Sequence, residues 1–254
     1  MLVVDDSAPA AAKVSREFFG GRRIPRKDHR GGPYYSYFFA LHEARNRYVL
    51  HTDADMLFGG RSQMWLAEAC ALFTSNEDVI VSAPLPGPPS ADGKLRELAG
   101  SAIDQESYMY SFGEMSTRAF LIDRDRWQTR ITKLVPRLAP LRGLILALLE
   151  GNPPRDLPEN IITEAMKLNG LKRIDFLGTP PGMWTLHPPY RGADFFLKLP
   201  DLVRRVETGD LPPEQLGFHD ICDQLVDWSE GRRALAERRW WRRLRNANRL
   251  WRES

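Results

Sequence analysis

The sequence predicts an α/β protein built on a mostly parallel central sheet, and three observations predict it. Short apolar runs of strand length recur at residues 2–4, 48–50 and 79–83, and such runs read as buried strands. Segments with helical apolar periodicity stand between them, so the first sixty residues read β-α-β-α-β, an order that implies parallel pairing with right-handed crossovers. Acids follow the strands, Asp5 and Asp6 after the first and Asp53 and Asp55 after the third. Ligands bind at the carboxyl ends of strands in sheets of this kind.

Taken in order, residues 10–19 combine good helix formers with an apolar face at Val14, Phe18 and Phe19, and Gly20-Gly21 stops the helix. Residues 22–26 read as a short strand. Arg30-Gly31-Gly32-Pro33 is a turn, with Pro33 suited to a first helical turn. Residues 34–45 form a helix that is apolar or aromatic on most sides and so largely buried. The next stretch, RYVLHTDADMLFGG at 47–60, carries the chemistry. In an extended segment side chains i and i+2 face the same way, so Asp53 and Asp55 leave the strand end side by side. Such carboxylates repel unless a cation lies between them. A hard divalent ion, Mg2+ or Mn2+, takes oxygen ligands and bridges carboxylates to phosphate. A polar Asx turn after a strand has the same sequence, so the neighbours decide between the two readings.

VVDDS ahead of a helix, GGP opening a second helix, and YVLHTDADM resemble, as an ordered set, the nucleotide-binding half of GT-A glycosyltransferases, in particular family 2-like enzymes. The resemblance implies a GT-A (Rossmann-like) three-layer fold, with 1–125 as a nucleotide-sugar-binding half and 126–229 as an acceptor and catalytic half. It implies that Asp5 or Asp6 reads the base of a UDP- or GDP-sugar donor. Asp53 and Asp55 would hold Mn2+ or Mg2+ on the donor's diphosphate, with Asp53 also against the nucleotide. The family opens with an earlier strand. Here Met1 lies just before the counterpart of the second, so either the start is assigned too late and the preceding strand is missing from the sequence, or the expected sheet lacks its usual first strand.

Residues 62–73, SQMWLAEACALF, form an amphipathic helix with Ser62 as cap. After the strand at 79–83, LPGPPSADG is either an acceptor-side loop or a plain surface loop. Residues 116–123 read as a strand, in which Arg118 is either a diphosphate contact or a surface arginine. Asp156-Leu157-Pro158-Glu159-Asn160 precedes a helical pattern closed by Asn169-Gly170. Acids there favour a helix N-terminus electrostatically. In the resembled family a Glu-Asp pair opens this helix, and its acid deprotonates the acceptor hydroxyl. Here the pair is Glu159-Asn160, and an amide cannot take that proton. Glu159 is therefore the candidate base or acceptor-orienting group, Asp156 is the alternative, and inversion or retention stays open. His187, in the rigid WTLHPP loop, is either a structural histidine or the late third metal ligand that several GT-A enzymes use. His51 ranks behind it, and Tyr190 and Arg191 are candidates for the same pocket.

The stretch 134–150 is rich in Leu and Ile but too short to cross a bilayer; it packs in the core, covers a face or touches a membrane. Residues 199–207 and 219–229 read as helices, and 230–254 as a basic C-terminal helix. Nine Arg against two Glu give 231–254 a net charge of +7, which leaves −4 of the overall +3 on the rest of the chain. The positive balance thus belongs to the tail, and with no recognised module nucleic acid is not an expected partner. Arg with Trp240, Trp241, Leu244, Leu250 and Trp251 suits either an interfacial helix on an anionic membrane or a solvated helix packing its aromatics inward. Two isolated cysteines argue against zinc and a disulfide framework. No leader is visible, so the expectation is cytoplasmic, at the inner face of the membrane if the tail binds lipid. The expected activity is metal-dependent transfer of a sugar from a nucleoside diphosphate donor to an acceptor hydroxyl. The rivals are a nucleotidyltransferase, which would want a Gly-rich basic loop, and a degenerate, non-catalytic GT-A-fold binding protein.

Overall fold

A computed structural model describes residues 3–96, 98, 100–131 and 133–236. In chain order the elements are α1 (Ala8–Phe19), α2 (Tyr35–Glu43), β1 (Tyr48–Thr52), β2 (Leu57–Gly59), α3 (Trp65–Ser75), β3 (Val79–Pro86), β4 (Ser101–Asp104), β5 (Met109–Phe112) and β6 (Ala119–Asp123). They continue with α4 (Arg124–Arg130), α5 (Leu141–Glu150), α6 (Pro158–Leu168), β7 (Lys172–Phe176), β8 (Trp184–Leu186), α7 (Ala193–Thr208) and a 3-10 turn at Pro213–Gln215. The fold is mixed α/β. Two compact units interleave along the chain: one takes residues up to 49, 124–169 and 236 onward, the other Leu50–Asp123 and Gly170–Leu235.

The first unit is helical. Ser7 Oγ accepts from Ala10 N, and α1 ends at Gly20 in the left-handed region, as its sequence predicts. Its buried Phe18 and Phe19 meet Phe38 of α2 with ring centroids 5.5 and 4.8 Å apart, and Trp127 of α4 lies 6.4 Å from Phe18. Two expected strands do not form in the described residues. Residues 3–6 and 22–26 are irregular, and among the described residues no strand pairs with either. Their backbone is held by side chains instead: Tyr35 Oη donates to Asp5 O at 2.7 Å and Ser15 Oγ donates to Arg22 O at 2.5 Å. An extended segment remains irregular when no ladder partner is at hand.

The second unit holds the sheet, in the order β1-β6-β3-β7-β5-β4, with β8 bonded to β3 and β2 bonded to β8. β3 runs parallel to β7 and β8, whereas β3–β6, β4–β5, β5–β7 and β2–β8 are antiparallel. The expectation of a mostly parallel sheet is therefore corrected: antiparallel pairing predominates. The parallel reading required strands at 2–4 and 22–26, which do not form in the described residues. Antiparallel β4, β5, β2 and β8 come from segments whose periodicity is too short to read. Every residue of β3 is buried, as expected for a strand bonded on both sides and covered. Ser62 Oγ accepts from Met64 N and Trp65 N and opens α3, whose Trp65 donates from Nε1 to Phe176 O at 3.1 Å.

The predicted helix at 219–229 is also absent. Buried Gln215 fixes that segment from the side: Nε2 donates to Phe218 O and Asp220 O, while Oε1 accepts from Cys222 N. These bonds replace a helical ladder. The predicted helix at 199–207 is longer, starting at Ala193. Residues 229–236 are helical, and the rest of the expected C-terminal helix, with all its Trp and Leu244, lies outside the described residues.

Candidate functional site

β1 delivers Asp53 to the sheet's edge, where Asp53 N donates to Arg118 O at 2.7 Å. The chain then turns, with Met56 N donating to Asp53 O at 3.2 Å, before β2 begins. The Asp-x-Asp thus occupies a turn and not an extended end, and its carboxylates have different partners. Asp53 Oδ1 lies 3.4 Å from His51 Nε2, and Asp55 Oδ2 is paired with Arg191. Asp55 Oδ1 is buried with no hydrogen-bond partner.

Gly59 and Gly60 make the next step possible. A Cβ on Gly59 would sit 2.1 Å from the Trp184 ring, and one on Gly60, where φ is +88°, would sit 2.4 Å from Gly182 O. Only glycine allows β2 to lie this close to β8. The β2–β8 register pairs Leu57 with Leu186, so the residue after β8, His187, arrives beside the Asp-x-Asp turn.

His187 is held on both ring nitrogens. Nδ1 lies 3.0 Å from Asp220 Oδ1, and Nε2 lies 3.3 Å from the Arg191 guanidinium. A guanidinium only donates, so Nε2 accepts and the proton is on Nδ1, donated to Asp220. This tautomer is the one a metal-ligating histidine with a carboxylate behind it adopts. Arg191 therefore contacts two of the predicted ligands, Asp55 and His187, with a single positive group. Arg118 donates to Asp220 Oδ1 at 3.1 Å and lies 3.3 Å from His219 Nδ1. Burial of Asp220 would raise its carboxyl, but the His187 hydrogen bond and the Arg118 charge outweigh that and hold it below the usual carboxylate range. Burial of His219, aided by Arg118, pushes its imidazole down to about 3. A cavity of about 760 Å³ adjoins, lined by Arg96, Tyr190, Asp220, Asp223, Trp228 and Arg232 among others.

Asp5, Asp6 and Glu159 belong to the other unit. The Ser7 backbone hydrogen bond holds the Asp5 carboxyl below its ordinary range. Asp6 pairs with Arg26 at 3.1 Å and lines a cavity of about 640 Å³ with Arg23, Arg26, Tyr35 and Arg155. Glu159 lies in the first turn of α6. Beside it, Asn160 Nδ2 donates to Asp156 Oδ1 at 2.7 Å, so the alternative acid at this helix start is engaged by the amide that follows Glu159.

Among the described residues, no group of three or more His, Cys, Asp or Glu side chains is gathered to hold a metal ion unaided. Sequence reasoning missed Asp220 and gave His219 no role. No motif marks them, because they reach the site through a backbone bridge between His187 and Asp220. Comparison with protein-family models, curated proteins and solved structures finds no match for this chain.

Proposed function

We propose that the chain is a metal-dependent glycosyltransferase of GT-A type, transferring a sugar from a UDP- or GDP-sugar to an acceptor hydroxyl. The observation that carries this reading is the Asp55–Arg191–His187 contact, in which one guanidinium bridges a carboxylate and an imidazole acceptor while Asp55 Oδ1 stays buried and unpartnered. An orphaned buried oxygen is costly, and a divalent ion with a diphosphate would satisfy it. Mg2+ binds with one or two carboxylates and completes its shell with water and substrate phosphate, and an imidazole suits Mn2+ as well. The donor set therefore fits a substrate-completed ion.

Asp55 and His187, with Asp53 nearby, would hold the ion. When bound, the ion neutralises the diphosphate as it departs. The remaining roles fall to the chain's own groups. Asp220 fixes the His187 tautomer so that Nε2 faces outward. The His187 hydrogen bond and the Arg118 charge keep Asp220 ionised. Arg191, once displaced from Asp55, would be free to pair with the leaving phosphates. The base-reading role of Asp5 or Asp6 and the proton-accepting role of Glu159 rest on the family resemblance. A second reading, a non-catalytic binding protein of this type, is favoured by one observation: the Asn160 amide stands where the family has an acid and engages Asp156.

Isothermal titration of UDP and GDP, each with and without Mn2+, tests the reading. The expected result is Mn2+-dependent binding of one nucleotide, lost in Asp55→Ala. Failure of both nucleotides to bind with Mn2+ present would overturn it.

A further inference from the structure

Helix α5, LRGLILALLE, is aliphatic throughout except for Arg142, Gly143 and Glu150. A helix apolar on all sides is normally enclosed. This one is turned the other way. Its buried positions are the two smallest residues, Gly143 and Ala147. Leu141, Ile145 and Leu148 stand one helical turn apart on the outside and are 73%, 53% and 62% exposed. Val135 and Leu138, just ahead of the helix, are exposed too. The inner face cannot exchange with the outer one. A Cβ on Gly143 would already lie 2.8 Å from Ala139 Cβ and 3.0 Å from the His29 ring, so no rotation could seat a leucine there.

Contiguous exposed aliphatic side chains of this size mark an interaction surface. The charges around them select its partner. Residues 130–150 hold Arg130, Lys133, Arg137 and Arg142 against Glu150 alone; Arg137 is shared with Glu164 and Lys133 caps a carbonyl of α1. Arg142, also exposed, borders the leucine face. Two copies packed through this face would set like charges against each other, which disfavours self-association. An aliphatic face with a cationic rim instead matches the boundary between anionic headgroups and acyl chains. The sequence of 237–254, with seven Arg and three Trp, has the same chemistry. Ten helical residues are far too few to cross a bilayer, and among the described residues no helix is long and apolar enough to do so. We propose that the outer face of α5 docks on an anionic phospholipid bilayer, lying in its interface. This does not depend on the glycosyltransferase reading.

Co-sedimentation of the full chain with vesicles tests it, using phosphatidylcholine alone and phosphatidylcholine with phosphatidylglycerol. The variants are Leu141→Ser/Ile145→Ser/Leu148→Ser and, as a control, Trp240→Ser/Trp241→Ser/Trp251→Ser. The expected result is binding to the anionic vesicles only, weakened at least about tenfold in the α5 variant, since each substitution removes buried methylenes. Circular dichroism and thermal unfolding of that variant should match the parent, because the substituted side chains are exposed. The proposal is overturned by absence of binding, by equal binding to both vesicle types, or by an α5 variant that binds like the parent while the tryptophan variant does not. A parent that binds no vesicle but forms a dimer in sedimentation equilibrium, dispersed by the α5 variant, would overturn it in favour of a second copy.

Discussion

Arg191 decides the state of the candidate site. Its guanidinium occupies Asp55 Oδ2 and His187 Nε2, the atoms a divalent ion would use. Its side chain is nearly half exposed, so the pair is partly screened and modest in strength. Arg191→Met should therefore raise Mn2+ affinity in the absence of nucleotide by about two- to fivefold. Manganese paramagnetic resonance reads the free ion directly, and unchanged or weaker binding would show that Arg191 and the ion do not compete. Of this constellation, Asp53, Asp55 and His187 were legible from residue type and position. Arg191 was legible only as a neighbour in sequence, and Asp220 not at all. An aspartate after a histidine is unremarkable until the backbone of 187 bonds that of 219 and 221.

Strand β7 carries a buried pair that the alternation of its residues brings together. Arg173 and Asp175 share one face of the strand, bonded twice at 2.8 Å, with the guanidinium 4.5 Å from the Phe112 ring centroid. Breaking one side of such a pair leaves an uncompensated buried charge. Asp175→Asn should cost about 3–5 kcal/mol, measured by urea unfolding. Adding Arg173→Met should recover part of that loss, because the orphaned charge goes with it; a double variant less stable than Asp175→Asn would refute this account. Helices were the most legible elements. α1, α2, α3 and α6 lie close to their expected places because caps and a 3.6-residue period are written locally. Strand partners were not legible, as the segments at 2–4 and 22–26 show, and the helix expected at 219–229 fails for a like reason. Each has a suitable local pattern, but side-chain bonds from Tyr35, Ser15 and Gln215 take up backbone in or beside the segment instead.

At the scale of the whole molecule, acid sensitivity follows from His219. Its folded pKa of about 3 lies below the ordinary histidine value of 6.5, so below that value the unfolded chain binds a proton that the folded one refuses. The stability it contributes is complete above pH 6.5 and is lost as pH falls from there toward 3, with a slope approaching about 1.4 kcal/mol per pH unit. Between pH 6.5 and 5, before most carboxylates titrate, His219→Gln should flatten unfolding free energy against pH. Parallel curves for the two proteins would mean that the ring is not held neutral.

The sequence by itself determined helices α1, α2, α3 and α6, the strand that leads into the Asp53-x-Asp55 turn, the pair of glycines behind it and the acidic start of α6, because periodicity, caps and turns act over a few residues. Only the tertiary structure decided the antiparallel majority of the sheet, the interleaving of two units along the chain and the outward turn of the α5 leucines. It also decided the meeting of Asp55 with Arg191 across 136 residues. Those outcomes depend on which distant backbone supplies a hydrogen-bond ladder and which face finds a partner, a competition among non-local contacts that no local pattern encodes.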